Sequence, residues 1–487
     1  MKMREIALGT ALAVLAAGCT STKKVLQNYE NGLAIGSYTV PAQETAKLAE
    51  SDKGDEDELL WRLLSGAAYH IGGNKEDSVR QFDIAERLFA ANDTTSVFAR
   101  GAQATKAMML NDASFSYDGG GLDRVFTCLY KGIDFASTQG VGVDNKELAR
   151  IEFNRASTYQ SRWLDDRRKE IAASEAKLRE SAAAEESKQK IKSQGNRDDI
   201  VAKAFANDTL RVQIQEKCNF DLSRSGNIDA LAKSDYVNAY ALHVIGTFRW
   251  LNGDSDMADL SKAAEVLPVN SPARRDANEC AAGVQPVNQV WVYAEDGLCP
   301  KREEWSLKLP LILVPYANRY VMYAGMALPV LKERSHGALN WSVSTPSGPL
   351  EMTLLADIDR LVKTEYDIYL RGAITREVTR CVVRTGAQIA LGIAAENASG
   401  NAALGFRIAQ ASAAAYAASC TAADVRSWTA LPKDVKFARI DRPASGVVEV
   451  FAGSQSVRIP VPEGNSMVFI RKTSPAALPV TEVISFK

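Results

Sequence analysis

The sequence predicts an α+β chain in two parts: an N-terminal α-helical array, then a β-rich, sandwich-like C-terminal domain with an inserted helical hairpin. Three observations carry that reading. Small residues set against aromatic ones recur at helical spacing three times before residue 285. After Pro286 the pattern switches to apolar and polar alternation in short runs divided by Gly and Pro. Within this second half, residues 354–423 return to helical spacing.

The chain opens with Lys2 and Arg4, an apolar run from Ile6 to Ala17, and Leu15-Ala16-Ala17-Gly18-Cys19. A basic start, an apolar core and small closing residues are the layout of a secretory signal. The last five residues resemble the lipobox of bacterial lipoproteins, which implies that residues 1–18 are removed and that Cys19 receives lipid. The apolar run is shorter than the roughly 20 residues that span a bilayer, so anchoring to the membrane falls to that lipid. Thr20 rather than Asp follows Cys19, which in the enterobacterial sorting pattern implies the outer membrane, with the chain facing the periplasm. Residues 19–58 are expected as a lipid-anchored polar tether. Its acidic end at Asp52, Asp55, Glu56, Asp57 and Glu58 suits the positive N-terminus of the next helix.

Residues 59–285 read as a tetratricopeptide-like array. Gly66, Tyr69, Ser78, Phe82 and Ala85 are spaced as the small, aromatic, small, aromatic and alanine positions of a repeat of about 34 residues, whose two helices interlock where small residues admit large ones. Gly132, Phe135, Ala149, Phe153 and Ala156 return the pattern, and Gly246, Trp250, Leu260 and Ala264 form a weaker third copy that stops at Pro268. Three units are about the minimum for a stable stack, and the groove of such a stack is the expected partner surface. Between the second and third units, residues 163–220 are highly charged. Leu164, Ile171 and Leu178 keep a heptad that Glu185 and Lys192 break, and Ser193-Gln194-Gly195-Asn196 is turn chemistry. A protruding, solvated helical hairpin is expected there.

Residues 286–487 are expected to be β-rich. Alternation over Val290–Tyr293, Trp305–Leu309, Tyr320–Tyr323, Leu339–Val343, Val447–Phe451, Ser456–Val461, Met467–Ile470 and Val480–Phe486 predicts short strands. In the helical insertion at 354–423, Arg376, Arg380 and Arg384 stand four apart on one helix. That ridge is either a solvated face with local ion pairs such as Glu377 or a contact for an anionic partner. Ala, Gly and Ser dominate from Gly386 to Ala423, so two helices broken near Ser399-Gly400-Asn401 can approach closely. Counting from that break sets Cys381 and Cys420 at one level of an antiparallel hairpin. Seven cysteines less the lipidated one leave an even number in a compartment that permits disulfides. Cys381 and Cys420 are therefore candidates for a disulfide, the alternative being two buried, reduced thiols.

Several short segments stand out along the chain: Tyr117-Asp118-Gly119, Ala149 with Glu152-Phe153-Asn154-Arg155-Ala156, Asn288-Gln289-Val290-Trp291-Val292, Asp296-Gly297, Leu355-Ala356-Asp357, Ile374-Thr375-Arg376-Glu377, and Asp424-Val425-Arg426-Ser427-Trp428 with Leu431-Pro432. In these the chain resembles an uncharacterised family of bacterial lipoproteins with a tetratricopeptide-like first half. The resemblance covers most of the mature chain and implies the same architecture. It brings no established activity.

Bulk charge is near balance, with 58 basic and 59 acidic residues, which gives no electrostatic reason to expect nucleic acid. His70, His243 and His336 belong to no local metal pattern, and the chain has no C-x-x-C pair, nucleophile elbow, P-loop or dinucleotide fingerprint. Asp118-Gly119-Gly120-Gly121 follows no strand and reads as a flexible turn. No catalytic residue, metal or small-molecule cofactor is expected. A glycan-cleaving carboxylate pair would be drawn from distant positions, and none can be nominated. The expected function is a non-enzymatic scaffold that binds envelope proteins through the helical array, in an envelope assembly, secretion or wall-synthesis machine. The alternative is a protein that binds or cleaves polysaccharide or peptidoglycan.

Overall fold

The helical half and the β-rich half each carry an apolar face, and the two faces are buried against each other. The computed structural model describes residues 24–94, 111–137, 145–188, 207–219, 228–254, 256–308, 320–338 and 340–486. The chain is mixed α+β, with helices first and sheets toward the C-terminus. Cys19, the signal segment and the turn at Ser193-Gln194-Gly195-Asn196 lie outside the described residues.

The expected tether is folded from residue 24. Residues 24–34 (α1) and Thr39–Ser51 (α2) are helices. Tyr29, Leu33, Ala42 and Ala49 are buried, and the Tyr29 hydroxyl donates to the Leu64 carbonyl at 2.7 Å. Tyr29, Leu33, Tyr38, Ala42 and Ala49 turn inward while Ile35 and Val40 stay exposed, so the mixed composition hides the helices.

Three helix pairs follow. Glu58–Ile71 (α3) packs on Lys75–Thr94 (α4), and Gly121–Ala136 (α5) packs on Asn145–Lys188 (α6). After Asp208–Cys218 (α7), Ala239–Leu251 (α8) packs on Ala258–Glu265 (α9), and Pro272–Ala281 (α10) closes the row. The paired small and large residues do meet. A Cβ on Gly66 would lie 2.6 Å from the Phe82 ring, on Gly132 2.3 Å from the Phe153 ring, and on Gly246 2.6 Å from Leu260. In the charged stretch, only the far end departs from the solvated hairpin expected there. Helix α6 runs unbroken to Lys188, and α7 is docked, with Leu210, Ile214 and Cys218 buried in a core cluster with Met326 and Tyr366.

A five-stranded sheet lies along the inner side of the helices. Its strands are Gln289–Asp296 (β1), Thr353–Asp357 (β6), Asp434–Asp441 (β7), Asn465–Lys472 (β10) and Val480–Phe486 (β11), in the order β11-β10-β1-β7-β6. Only the β1 and β10 pairing is parallel. Successive strand residues point to opposite faces. Trp291, Tyr293, Phe437, Met467 and Phe469 share one core with Phe126, Tyr240, Phe248 and Trp250 of the helices. Val290, Val292, Ala294, Val468 and Ile470 face the other way. They pack on a four-stranded sheet made of Trp341–Thr345 (β4), Gly348–Glu351 (β5), Val447–Ala452 (β8) and Gln455–Pro460 (β9). Lys301–Lys308 (β2) and Gly325–Lys332 (β3) form a separate ribbon against the long helix Ile358–Asn397 (α11), which reverses into Gly400–Ser419 (α12).

Two consequences revise the expected layout. The groove of the helix row is filled by the chain's own sheet, and every residue of α3 is buried. Tyr320–Tyr323 is not a strand, because β3 begins at Gly325; the central strand β7, Asp434–Asp441, was not anticipated.

The glycine contacts predict opposite responses to one added methyl group. Gly66→Ala overpacks the Phe82 ring and should lower stability by about 1–3 kcal/mol, less the gain of up to about 1 kcal/mol in helix propensity. Gly405→Ala, whose Cβ meets nothing within 4 Å, should gain up to about 1 kcal/mol. Urea midpoints that move in opposite directions for the two variants are the expected result.

Candidate functional site

Where α3 and α5 meet β9, β10 and β11, the seam between helices and sheet opens into a cavity of about 310 Å³. Its size is at the lower end of ligand sites, and its lining combines apolar walls with a few fixed polar groups. Ile133, Ile459, Phe469 and Val480 supply apolar wall, while His70, Lys75, Glu482, Glu295 and Arg471 supply charge and hydrogen bonding.

The polar groups are held from behind. Asp134 of α5 is fully buried and accepts from Ser78 Oγ at 2.6 Å, from His70 Nδ1 at 2.6 Å and from Lys75 Nζ at 3.0 Å. Burial opposes its charge, but His70 and Lys75 hold its carboxyl below the usual carboxylate range. His70 Nδ1 bonds Asp134 and the ring stacks on Tyr130 at 4.3 Å, which turns Nε2 toward the cavity; among the described residues Nε2 has no hydrogen-bond partner. Lys75 also donates to Glu482 Oε2 at 2.5 Å. Burial works against the ammonium, yet Glu482 and Asp134 raise its pKa above the usual lysine value. On the far wall, Glu295 accepts from the Tyr240 hydroxyl at 2.7 Å and the Tyr130 hydroxyl at 3.3 Å. The lining thus offers both signs of charge. Ser78 bonds Asp134 and not His70, so it is not the hydroxyl of a nucleophilic relay.

The other sequence-nominated residues lie elsewhere. Arg376, Arg380 and Arg384 are neither a solvated ridge nor a surface for an outside anion. Arg380 is 2 % exposed, and the anion is internal: Asp112 accepts from Arg376 Nη2 and Arg380 Nη2, each at 2.6 Å, and Glu377 accepts from Arg380 Nη1 at 2.5 Å. Burial would raise Asp112, but Arg376 and Arg380 hold its carboxyl well below the usual range. Arg384 donates to the Cys420 carbonyl at 3.2 Å. Cys381 and Cys420 are both free thiols. Cys381 is buried in the core with Tyr366 and Val378, whereas Cys420 follows the end of α12 beside Ser419. Burial pushes the Cys381 thiol up to about 12.

His243 is fully buried between the Tyr293 hydroxyl at 2.9 Å and Asp276 at 3.0 Å, a closed packing network. His336 is half-exposed beside Asp434. The glycine run at 118–121 is a helix entry, and its backbone donor is already taken: Leu122 N donates to Glu365 at 2.8 Å. Comparison with protein-family models, curated proteins and solved structures finds no match.

Asp134, Ser78, Lys75 and Glu482 were not nominated from sequence. Ser78 fitted the repeat as a small packing residue, and Lys75 and Glu482 stand 407 positions apart. Asp134 did leave a signal, an acid between Ile133 and Phe135 near the end of an amphipathic helix.

The Asp112 pairing has a direct test. Asp112→Asn leaves two largely buried guanidinium groups short of a counter-charge, and should cost about 3–5 kcal/mol in urea unfolding at neutral pH. Because its folded pKa lies below the unfolded value, the Asp112 contribution is complete above about pH 4 and is lost as pH falls through the depressed value. The gap between wild type and variant should therefore narrow in acid.

Proposed function

We propose that this chain is an outer-membrane lipoprotein, anchored through Cys19 and facing the periplasm, that acts by binding a polar unit of an envelope polymer without catalysis. The observation that carries the reading is the seam cavity, with its open His70 Nε2, its Lys75 and Glu482 pair and its apolar wall. A saccharide bearing amide, hydroxyl and carboxylate groups, as in peptidoglycan, matches that mixture of donors, acceptors and both charges. The frame reads as tetratricopeptide-like pairs closed by a sandwich-like β domain. Support for this comes from the glycine contacts of the three pairs and from the core between the two sheets.

A second reading, docking of envelope proteins, is favoured by one observation. Helix α12 leaves Leu404, Phe406, Ile408 and Tyr416 exposed, large apolar residues on a helix with a single charged residue, Arg407.

Val480 is partly buried at the cavity lining, on the same face of β11 as Glu482, so Val480→Trp narrows the space while keeping the buried charges. Calorimetry with soluble peptidoglycan fragments should give saturable binding to wild type and at least tenfold weaker binding to this variant. Loss of envelope-protein capture in Leu404→Asp, with no fragment binding by wild type, would shift the function to the second reading. Cys19→Ala should leave the membrane fraction; a variant that still pellets with membrane would contradict the anchor.

A further inference from the structure

Among the described residues, three groups of His, Cys, Asp or Glu side chains stand close enough to hold one ion. In two of them a lysine already occupies the cation's place. Lys75 bridges Asp134 and Glu482 in the cavity wall, and Lys131 Nζ contacts Asp83 at 2.7 Å, Glu152 at 3.0 Å and Glu86. Each of these leaves one carboxylate oxygen without a hydrogen bond, Glu482 Oε1 and Glu152 Oε2, but an ammonium ties the acids together.

The third group, Asp296, His336 and Asp434, is built differently. Asp296 ends β1 and Asp434 begins β7, directly opposite each other in the antiparallel ladder. Like charges at such a position are destabilising. Both are buried, at 0 % and 7 % exposure, and Asp296 Oδ2 and Asp434 Oδ1 have no hydrogen-bond partner. The indole N–H of Trp341 faces Asp296 but falls short of hydrogen-bond geometry, so Asp296 Oδ2 stays unsatisfied. Lys436 reaches only Asp434 Oδ2, at 3.0 Å. The Lys472 ammonium is held away by Gln455, Pro475 and Ala477.

The loop carrying His336 is pressed onto this pair. Ala338 N donates to Asp296 Oδ1 at 2.7 Å, and a Cβ on Gly337 would lie 2.3 Å from the Lys472 carbonyl. His336 Nε2 stands 3.2 Å from Asp434 Oδ2, and one donor atom from each of the three residues falls within 4.8 Å of the others. His336 is half-exposed, which leaves an entry path.

We propose that Asp296, Asp434 and His336 bind one divalent transition-metal ion, Zn²⁺ by donor type. Two carboxylates and a neutral imidazole match its preference for mixed nitrogen and oxygen ligands at about 2.0–2.2 Å and balance its charge. Lys436, with its side chain 21 % exposed, swings to solvent as the ion enters. The ion then offsets the carboxylate repulsion between β1 and β7. The site is distinct from the cavity, since Asp296 and the cavity-lining Glu295 point to opposite faces of β1.

The full chain, stripped with chelator, is titrated with ZnCl₂ by calorimetry and by thermal melting. Wild type should bind one ion per chain and melt higher with it. His336→Ala should weaken binding at least tenfold. Asp296→Asn should melt higher than wild type without metal, because the like-charge pair is relieved, and should lose the metal-dependent rise. Absence of one-to-one binding in wild type, or binding unchanged in His336→Ala, would overturn the site; the half-exposed position of His336 keeps that variant decisive if Asp296→Asn does not fold.

Discussion

The burial of one aromatic face of the five-stranded sheet by the helix row is the constraint on which the rest of the structure depends. Trp291, Tyr293, Phe437 and Phe469 meet Phe126, Tyr240, Phe248 and Trp250 in a single core. Ring pairs such as Trp250 with Trp291 at 6.0 Å and Tyr293 with Phe469 at 5.1 Å cross or stack within it. Aromatic residues bury about 150–250 Å² each, so separating the two layers would expose a large apolar surface on both sides. The helical pairs therefore form one wall of a shared interior, with their inward helices α3, α5 and α8 almost wholly covered.

A seam of this kind traps polar groups, and buried polar groups need partners. Through the middle they form closed networks. Asp276 accepts from His243, from Trp291 Nε1 at 3.0 Å and from Arg439 Nη1 at 2.7 Å. At the β11 end the layers diverge and the network opens into the cavity, where His70 Nε2 is unpartnered. The same demand shapes the insertion. Helix α11 reaches back to the first half with Arg376 and Arg380 on Asp112, and with Glu365 on the N-terminus of α5 and on Trp163 Nε1 at 2.8 Å. Asp296 and Asp434 depart from it as two carboxylates set opposite each other across one ladder.

Much of the frame was legible because its signals are local. Gly66 with Phe82 and Gly132 with Phe153 show as small and large residues at helical spacing, and the strands at Val290 and Val480 as short apolar runs between turns. What was missed depends on partners far away in the chain. Residues 24–51 read as polar because their few apolar side chains matter only when α3 lies beneath them. Strand β7 carries Lys436 and Arg439 amid its apolar residues, and Arg439 finds its partners, Asp276 and Glu279, only across the fold. The arginine spacing was read correctly as one helix face, but nothing in a single sequence says that Asp112 covers it. The cavity joins helices before residue 140 to strands after residue 455, and the Asp296, His336 and Asp434 group likewise joins three separated segments.

The shared core is tested most directly by equilibrium unfolding in urea, followed in parallel by far-ultraviolet circular dichroism at the helical minimum and by tryptophan fluorescence. Trp61 and Trp250 report from the helices, and Trp291 and Trp341 from the sheets. If one core joins both layers, the two signals trace a single coincident transition, and a chain ending at residue 285 does not unfold cooperatively. Two separated transitions, with the shortened chain keeping the helical one unchanged, would contradict the account and make the array an independent domain.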